Sequence, residues 1–512
     1  MKIESFARPR GAGATTALVV AITAAFLLAA GCGHKKAKAK KKPVLIDAGA
    51  TTPAPARPPA PARPAVALAA DPGGATGAPQ WLFSLGGMKE DVSRDVTVDA
   101  SGNTYAVGYF TDTIDLGAAG TRTAVGKTDA FAVKLGPDGK LLWAQTFGGP
   151  GEDAANAVAV AASGEVVIVG LFSDILTLGD LKIGAKGSDD IFVAKLGADG
   201  APAWAWSGGG SDSDSARAVA VDGKGSIVVT GLFGAEVDFT GTPIKSAGKT
   251  DVFLLSMAAG GEIEWVKTWG NAMADVGQDL AFDPDGNIVL QGSFGATVTF
   301  GGDPLISAGN QDAFLARYDR SGAHLWSRRF GSPFNENAFG MAIDPAGNIA
   351  VTGSFDDEMT VGDTELDSAG ESDMYVARFA SDGTPTWARR FGGKGEDTGH
   401  GLAIDRFGNV LAGGYFKDDI DFGGGAIKTT ANTTFDGLVV KLSPKGDVVW
   451  SKTFGDRDND RGWAIAAGAD GSVTLTGNYV FALTFGDKKL ESVHAPDAKI
   501  ASPDMFVARF AR

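Results

Sequence analysis

Residues 395–409 read GEDTGHGLAIDRFGN and place His400, one of four histidines in the chain, among Glu396, Asp397 and Asp405. An imidazole with carboxylates nearby is the material of general acid–base catalysis, because a carboxylate orients the ring and stabilises its charged form. The same side chains also serve as framework, since a carboxylate at a turn accepts backbone N–H groups at little cost. A second candidate, DRDNDRG, spaces Asp456, Asp458 and Asp460 as alternate oxygen donors, the pattern of a calcium loop. Its Gly462 stands one place late and no Glu follows at the twelfth position, so it is a weak metal candidate beside a plain acidic loop. No serine nucleophile motif, zinc-ligand cluster or isolated carboxylate pair accompanies His400. The sequence therefore predicts no catalytic residue, no cofactor and no enzyme.

The elements that must position these residues repeat. Trp81, Trp143, Trp204, Trp265, Trp326, Trp387 and Trp450 stand 61–63 residues apart. Counted from each Trp, Gly recurs at +5, +21 and +27, an acid at +10 and an aromatic at +29. A fixed period of this size means a repeat architecture. Each unit reads as four short strands, with alternating bulky residues in the first and a turn such as DPDGN after it. Their apolar faces need sheet packed against sheet, and radial repetition supplies that while leaving few open edges. Residues 81–87 read as a fourth-type strand and residues 504–510 as a third-type strand. The expectation is all-β: a seven-bladed β-propeller of four-stranded antiparallel blades, closed by pairing the N-terminal strand with the C-terminal blade.

What all units share reads as fold, and function can sit where equivalent positions differ. Asp397 is the +10 acid, matched by Asp91, Asp153, Asp214, Asp275, Glu336 and Asp460. It reads as a turn carboxylate, with a ring of cation ligands as the other reading. Asp405 recurs in five units and reads as a turn former. Position +13 is different: it holds Arg94, Asn156, Arg217, Gln278, Phe339, His400 and Trp463. At the start of the innermost strand these seven face the axial mouth, an aromatic arc opposite a polar and cationic one. They suit a ligand with a flat apolar face and an acidic or amide group. Parity with +15 and +17 offers the alternative that they cap packing between blades. The longest loop, 485–504, makes the seventh unit the least equivalent, with His494 expected to be exposed there.

The units resemble the bacterial seven-bladed β-propeller (SBBP) repeat, through GEDTGHGLAIDRFGNVLAGGYF (395–416) and DAFVAKL-type segments. The resemblance covers residues 81–512 and implies a propeller in an envelope or surface setting, with no single activity. KLGPDGKLLWAQTFGG is similar to quinoprotein propeller repeats, but eight blades and paired cysteines do not fit this chain.

Ahead of the repeats, Lys2, Arg8 and Arg10 precede an apolar run from Ala14 to Ala30 that ends in LLAAGC. This resembles a bacterial lipoprotein signal, implying cleavage after residue 31 and lipidation of Cys32, the only cysteine. Residues 32–80, Lys-rich and then Pro/Ala-rich, read as a disordered tether. Residues 1–80 hold 11 Lys+Arg and 3 Asp+Glu, net +8, so residues 81–512 carry −15 − 8 = −23. Such an acidic body is a poor partner for nucleic acid. The whole reads as a monomeric, non-enzymatic envelope lipoprotein that binds a protein partner or glycan at the mouth. Gly33 points to the outer membrane. A carbohydrate-active hydrolase or lyase and a structural scaffold are the alternatives.

Overall fold

The structure, a computed structural model, describes residues 45–47, 68–69, 71–431, 434–494 and 501–512. The signal segment, Cys32 and most of the tether lie outside the described residues. No described helix is long and apolar enough to cross a membrane.

Within a unit the four strands pair in chain order and antiparallel. In the fifth unit they are Glu336–Ile343, Ile349–Phe355, Asp373–Phe379 and Pro385–Phe391. The chain turns between the first two because Asp344 accepts the N–H of Ala346 at 2.8 Å and of Asn348 at 2.9 Å, and Gly347 takes φ 87°. That conformation costs a side-chain-bearing residue strain and glycine none. The two middle strands are buried along their whole length, so they are apolar on both faces. Their side chains join clusters that span neighbouring units: Val289 and Leu315 pack with Val351, Phe355 and Tyr375. Each such aliphatic or aromatic burial contributes about 1.5–3 kcal/mol.

Five four-stranded sheets of this kind stand apart, and two further meanders merge into one nine-stranded sheet through pairing of Gly209–Gly210 with Val237–Asp238. One of the five is assembled from both ends of the chain. Pro79–Leu85 pairs antiparallel with Asp504–Phe510, beside Val473–Tyr479 and Arg461–Ala467. The strand begins at Pro79, two residues before the boundary drawn at 81, and the Thr76 N–H donates to the Arg512 carbonyl at 3.0 Å. Leu45–Asp47, inside the segment read as a disordered tether, runs parallel to Ile263–Trp269.

The first strand of every unit carries a β-bulge at one place. The register with the second strand slips between residues +12 and +14, for example between Ala338 and Gly340, and likewise in the other six units. The skipped residue is +13. The cause is visible at the +27 glycine opposite. A Cβ on Gly108, Gly170, Gly231, Gly292, Gly353, Gly414 or Gly477 would lie only 1.8–2.0 Å from the carbonyl oxygen of residue +11 on the first strand. The glycine lets the first strand press in and fold out one extra residue. A bulge breaks the two-residue alternation, so parity with +15 and +17 does not by itself set where +13 points.

The second-to-third connections hold small hairpins that the repeat grammar did not reveal, such as Glu358–Val361 with Thr364–Asp367. Each starts from residue +31 in a left-handed conformation: Asp112, Asp174, Ala235, Ala296, Asp357, Asp418 and Phe481, with φ between 31° and 65°. In five units the indole N–H of the repeated Trp donates to a turn carbonyl of the next unit, as Trp143 does to Ala198 at 3.2 Å; those of Trp326 and Trp450 have no such partner.

Gly353→Ala should lower stability by about 1–3 kcal/mol or more, because backbone and not a flexible side chain is in the way. Gly223→Ala, with nothing within 4 Å of its Cβ, should stay within about 0.5 kcal/mol of the parent. Urea midpoints of the two variants check this.

Candidate functional site

The seven +13 residues are the seven bulge residues, so none has a partner in the ladder and each is aimed away from it. They come together over neighbouring units. Phe339 and His400 stack with ring centroids 4.3 Å apart, and Trp463 meets His400 edge-on at 4.7 Å. Arg94 lies over Trp463 at 5.6 Å and over Tyr109 at 5.2 Å. Asn156 turns aside: its amide donates to the Ala216 carbonyl at 2.9 Å and to Ser215 Oγ at 3.2 Å. Arg217 and Arg94 are exposed, and the other five are half-buried.

His400 is held by rings, not by carboxylates. Tyr415 adds a third ring at 5.6 Å. Burial, then the charges of Arg94 and Arg461, push the imidazolium down to about 3, so the ring is neutral in any ordinary buffer. Of its sequence neighbours, Asp397 and Asp405 serve elsewhere and Glu396 makes no ion pair with it. Burial and then Arg94 also bring Arg217 down to about 10. Since Arg94 and Arg217 still reach water, we read the enclosure as the walls of an open mouth, not as dry burial.

The +10 acids are fully buried framework. Asp397 accepts the Gly393 N–H at 2.8 Å and the Lys417 N–H at 3.3 Å. Each also faces the Asp that opens a third strand: Asp91 with Asp504, Asp153 with Asp129, Asp214 with Asp190, Asp275 with Asp251, Glu336 with Asp312, Asp397 with Asp373, and Asp460 with Asp436. The +5 glycine roofs the pair, since a Cβ there would lie 2.1–2.6 Å from a carboxyl atom. Burial first, and the paired acid among the further causes, raises Asp275 to about 6, Asp153 to about 7, Asp214, Glu336, Asp397 and Asp460 to about 8, and Asp91 to about 9. A proton held between two carboxyls is the simplest way to bury them together.

One of these pairs includes the third acid of the candidate calcium loop. Asp460 is a +10 acid whose oxygens accept the Asp456 N–H at 2.8 Å and the Val480 N–H at 2.9 Å. It is therefore spent on the backbone, and Asp456 and Asp458 lose their third ligand. No cluster of three or more acid, His or Cys side chains fit for a metal occurs among the described residues. Asp405 acts as a turn former, accepting the Phe407 and Asn409 N–H groups at 2.9 and 3.0 Å, and pairs with Lys441 at 2.9 Å. His494 is half-buried, not exposed, with Nδ1 2.7 Å from the Ser492 carbonyl.

The sequence reading missed four residues. Arg461, at +11, lies 4.8–5.8 Å from the ring centres of Phe435, Tyr415 and Trp463. Tyr415 backs His400. Asp95 and Asp279 follow the bulge at +14, where the other units have Ala or Gly; that charge in a column of small residues was the available signal. Each spans to a next unit: Asp95 accepts the Val158 N–H at 2.8 Å and Asp279 the Met341 N–H at 2.7 Å. Burial raises them to about 6 and about 7. A concavity of about 300 Å³ lies instead at the other end of the first strands, lined by Phe282–Pro284, Ile343–Pro345 and Ile404–Arg406. Its acids Asp283, Asp344 and Asp405 are engaged by Arg317, Arg378 and Lys441, so it reads as framework. The unpaired bulge residues carry the candidate site.

Residues 386–415 match the SBBP beta-propeller repeat. It is 21% identical over 497 residues to an uncharacterized WD repeat-containing protein of Acanthamoeba polyphaga mimivirus, covering 78% of this chain and 36% of that protein. It is 27% identical over 167 residues to the regulatory protein FlaEY of Caulobacter vibrioides, covering 31% of this chain and 17% of that protein. The chain thus spans about a third and a sixth of those relatives. Among solved structures it is similar to the Neurospora crassa Pan2 WD40 domain, at 10% identity and TM-score 0.42, over 82% of this chain and 89% of that one. Sqt1 from Chaetomium thermophilum gives 10% identity and TM-score 0.39, over 85% and 99%. The protein is all-β, built of four-stranded antiparallel sheets, with a beta-propeller repeat matched over residues 386–415.

The raised carboxyls fix the sign of a pH effect. Between about pH 4 and 9 the unfolded chain has released protons that the folded chain keeps. Stability from these pairs is complete at the acid end and is lost as pH rises through about 6 to 9. Melting temperature should therefore fall from pH 5.5 to pH 9, and Asp91→Asn should flatten that slope. His400 should show no protonation above about pH 4 in histidine NMR titration, and Arg94→Gln should move its transition upward.

Proposed function

We propose that the seven units close into one seven-bladed ring, and that this ring is a non-enzymatic, lipid-anchored module of the bacterial envelope, in the outer membrane, binding a protein partner or glycan at its axial mouth. Support for closure is threefold. The first strands touch one another in cyclic order, through to Arg461–Ala467 against Asp91–Val98. One core cluster mixes Ala464, Met505 and Val507 with Val96, Phe110 and Phe131. The Trp81 indole donates to the Pro137 carbonyl at 3.0 Å, the same link that Trp143, Trp204, Trp265 and Trp387 make.

The observation that carries the binding reading is the set of seven bulges. The fold spends the same costly device in every unit to present a side chain outside the ladder. Among the side chains presented, only Arg94 and Arg217 are alike. A packing role would favour one residue type; recognition favours difference. The lipid anchor rests on the LLAAGC motif and Cys32 alone. The enzyme alternative needs two free carboxyls. Asp95 and Asp279 interact and stand outside the shared grammar, but both oxygens of each already accept backbone N–H groups.

Two outcomes are expected. Deleting Gln80 to Gly87 should lower the melting temperature sharply, because Trp81, Phe83 and Leu85 each lose burial of about 1.5–3 kcal/mol; an unchanged melt rejects closure. Capture of a glycan or envelope protein on arrays should weaken in Trp463→Ala and Arg94→Ala, and unchanged capture by both rejects the mouth.

A further inference from the structure

We infer that the mouth is a carboxylate site: it recognises a carboxylate borne on a ring, through Arg94, Arg217 and Arg461, with Trp463, His400 and Phe339 as the wall the ring lies on. This rests on the reading of the mouth as a binding site and adds the chemical class of what binds.

The first observation is a set of guanidiniums without acids. Among the described residues the buried or half-buried Arg317, Arg378, Arg390 and Arg509 meet a carboxylate, at Asp283, Asp344, Asp373 and Asp470. Half-buried Arg461 makes no such ion pair, nor do the exposed Arg94 and Arg217, although the sequence from residue 81 onward is strongly acidic. The acids near the mouth are committed. Glu90 accepts from Tyr109 at 3.1 Å, and Asp95 and Asp279 hold backbone N–H groups. Glu396 is the exception: its charge acts on Tyr415, but it makes no ion pair with Arg461.

The second observation is independent of charge counting. Arg461 Nε is buried and has no hydrogen-bond partner. A buried donor left unmade is costly, and a charged one more so. Its Cζ lies 4.8–5.8 Å from the ring centres of Phe435, Tyr415 and Trp463, so aromatic rings and no acid surround a donor that an incoming oxygen could satisfy. Planar guanidinium matched to planar carboxylate is the strongest such pairing available to a protein.

The third is geometric proximity. Arg94 and Arg461 lie over the same Trp463 ring, at 5.6 and 5.8 Å, and the charge of Arg94 also acts on Arg217. Arg94 and Arg461 thus stand together beside the stacked rings, with Arg217 within reach of Arg94's charge. Like charges gathered without a counter-charge are relieved by an anion. A strongly negative body around a small positive centre would repel an extended polyanion and admit a short one. Gln278 on the same bulge register has no hydrogen-bond partner among the described residues and offers an amide to hydroxyl or carbonyl groups.

The probe is a galacturonate trimer, titrated into the intact protein by calorimetry and tryptophan fluorescence, against the methyl ester of the same trimer and against benzoate. The acid should bind about tenfold tighter than its ester, the scale of one charged hydrogen-bond set. Arg461→Gln and Arg217→Gln should each cost a similar factor. Arg217 is exposed and unbonded, so its loss cannot be ascribed to misfolding. Binding by benzoate with the same arginine dependence identifies an aromatic acid as the source and still supports carboxylate recognition. Equal binding of acid and ester, with the arginine variants unchanged and Trp463→Ala impaired, overturns the carboxylate inference and leaves the mouth standing. Absence of binding by all three probes overturns it too.

Discussion

Seven missing methyl groups allow the first strand of each unit to approach the second closely enough to bulge. At the +27 glycines any Cβ would overlap a carbonyl oxygen of the facing strand, so the bulge and the glycine exist only together. The bulge has three effects. It bends the innermost strand, it changes which face later side chains occupy, and it turns one residue per unit out of the ladder. A set of side chains outside the ladder is thus produced by backbone geometry before any ligand is considered.

A second constraint works at the outer end of the same strand. The +5 glycine, the +10 acid and the Asp of a third strand meet in a dry junction that joins one unit to the next. Burial raises the +10 acids above the usual carboxylate range, so the junction keeps protons to a higher pH than water would. The units are thereby tied by hydrogen bonds and packing whose strength depends on pH, and the acidic character of the body is smaller in the folded state than its formal charge implies. The Asp456–Asp460 stretch shows the consequence: what looks like a cation loop in one dimension is a loop whose third acid is turned inward to join its neighbour.

These two devices divide the molecule into parts that are uniform and parts that are free to differ. The uniform parts are the Trp wedge, the turn glycines and the carboxyl pairs. The free part is the bulge position, together with Arg461, Tyr415, Asp95 and Asp279 around it. His400 belongs to the second group. Its neighbours in space are Phe339, Trp463 and Tyr415, and its nearest charges are cationic, so it is a neutral aromatic wall.

The regular period, the recurrent Trp and the fixed glycines determined by themselves that the chain folds as an all-β repeat of four-stranded units, because strand alternation and turn conformation are local properties of backbone and side chain. The same pattern singled out +13 as the place where units differ. Only the tertiary structure decided that +13 is a bulge, because the close approach behind it involves a glycine on another strand. Only it paired each +10 acid with an Asp from a different strand, and brought Arg461 beside Tyr415 from a different unit. Such contacts arise from how strands stack in space, and no spacing along one strand encodes them.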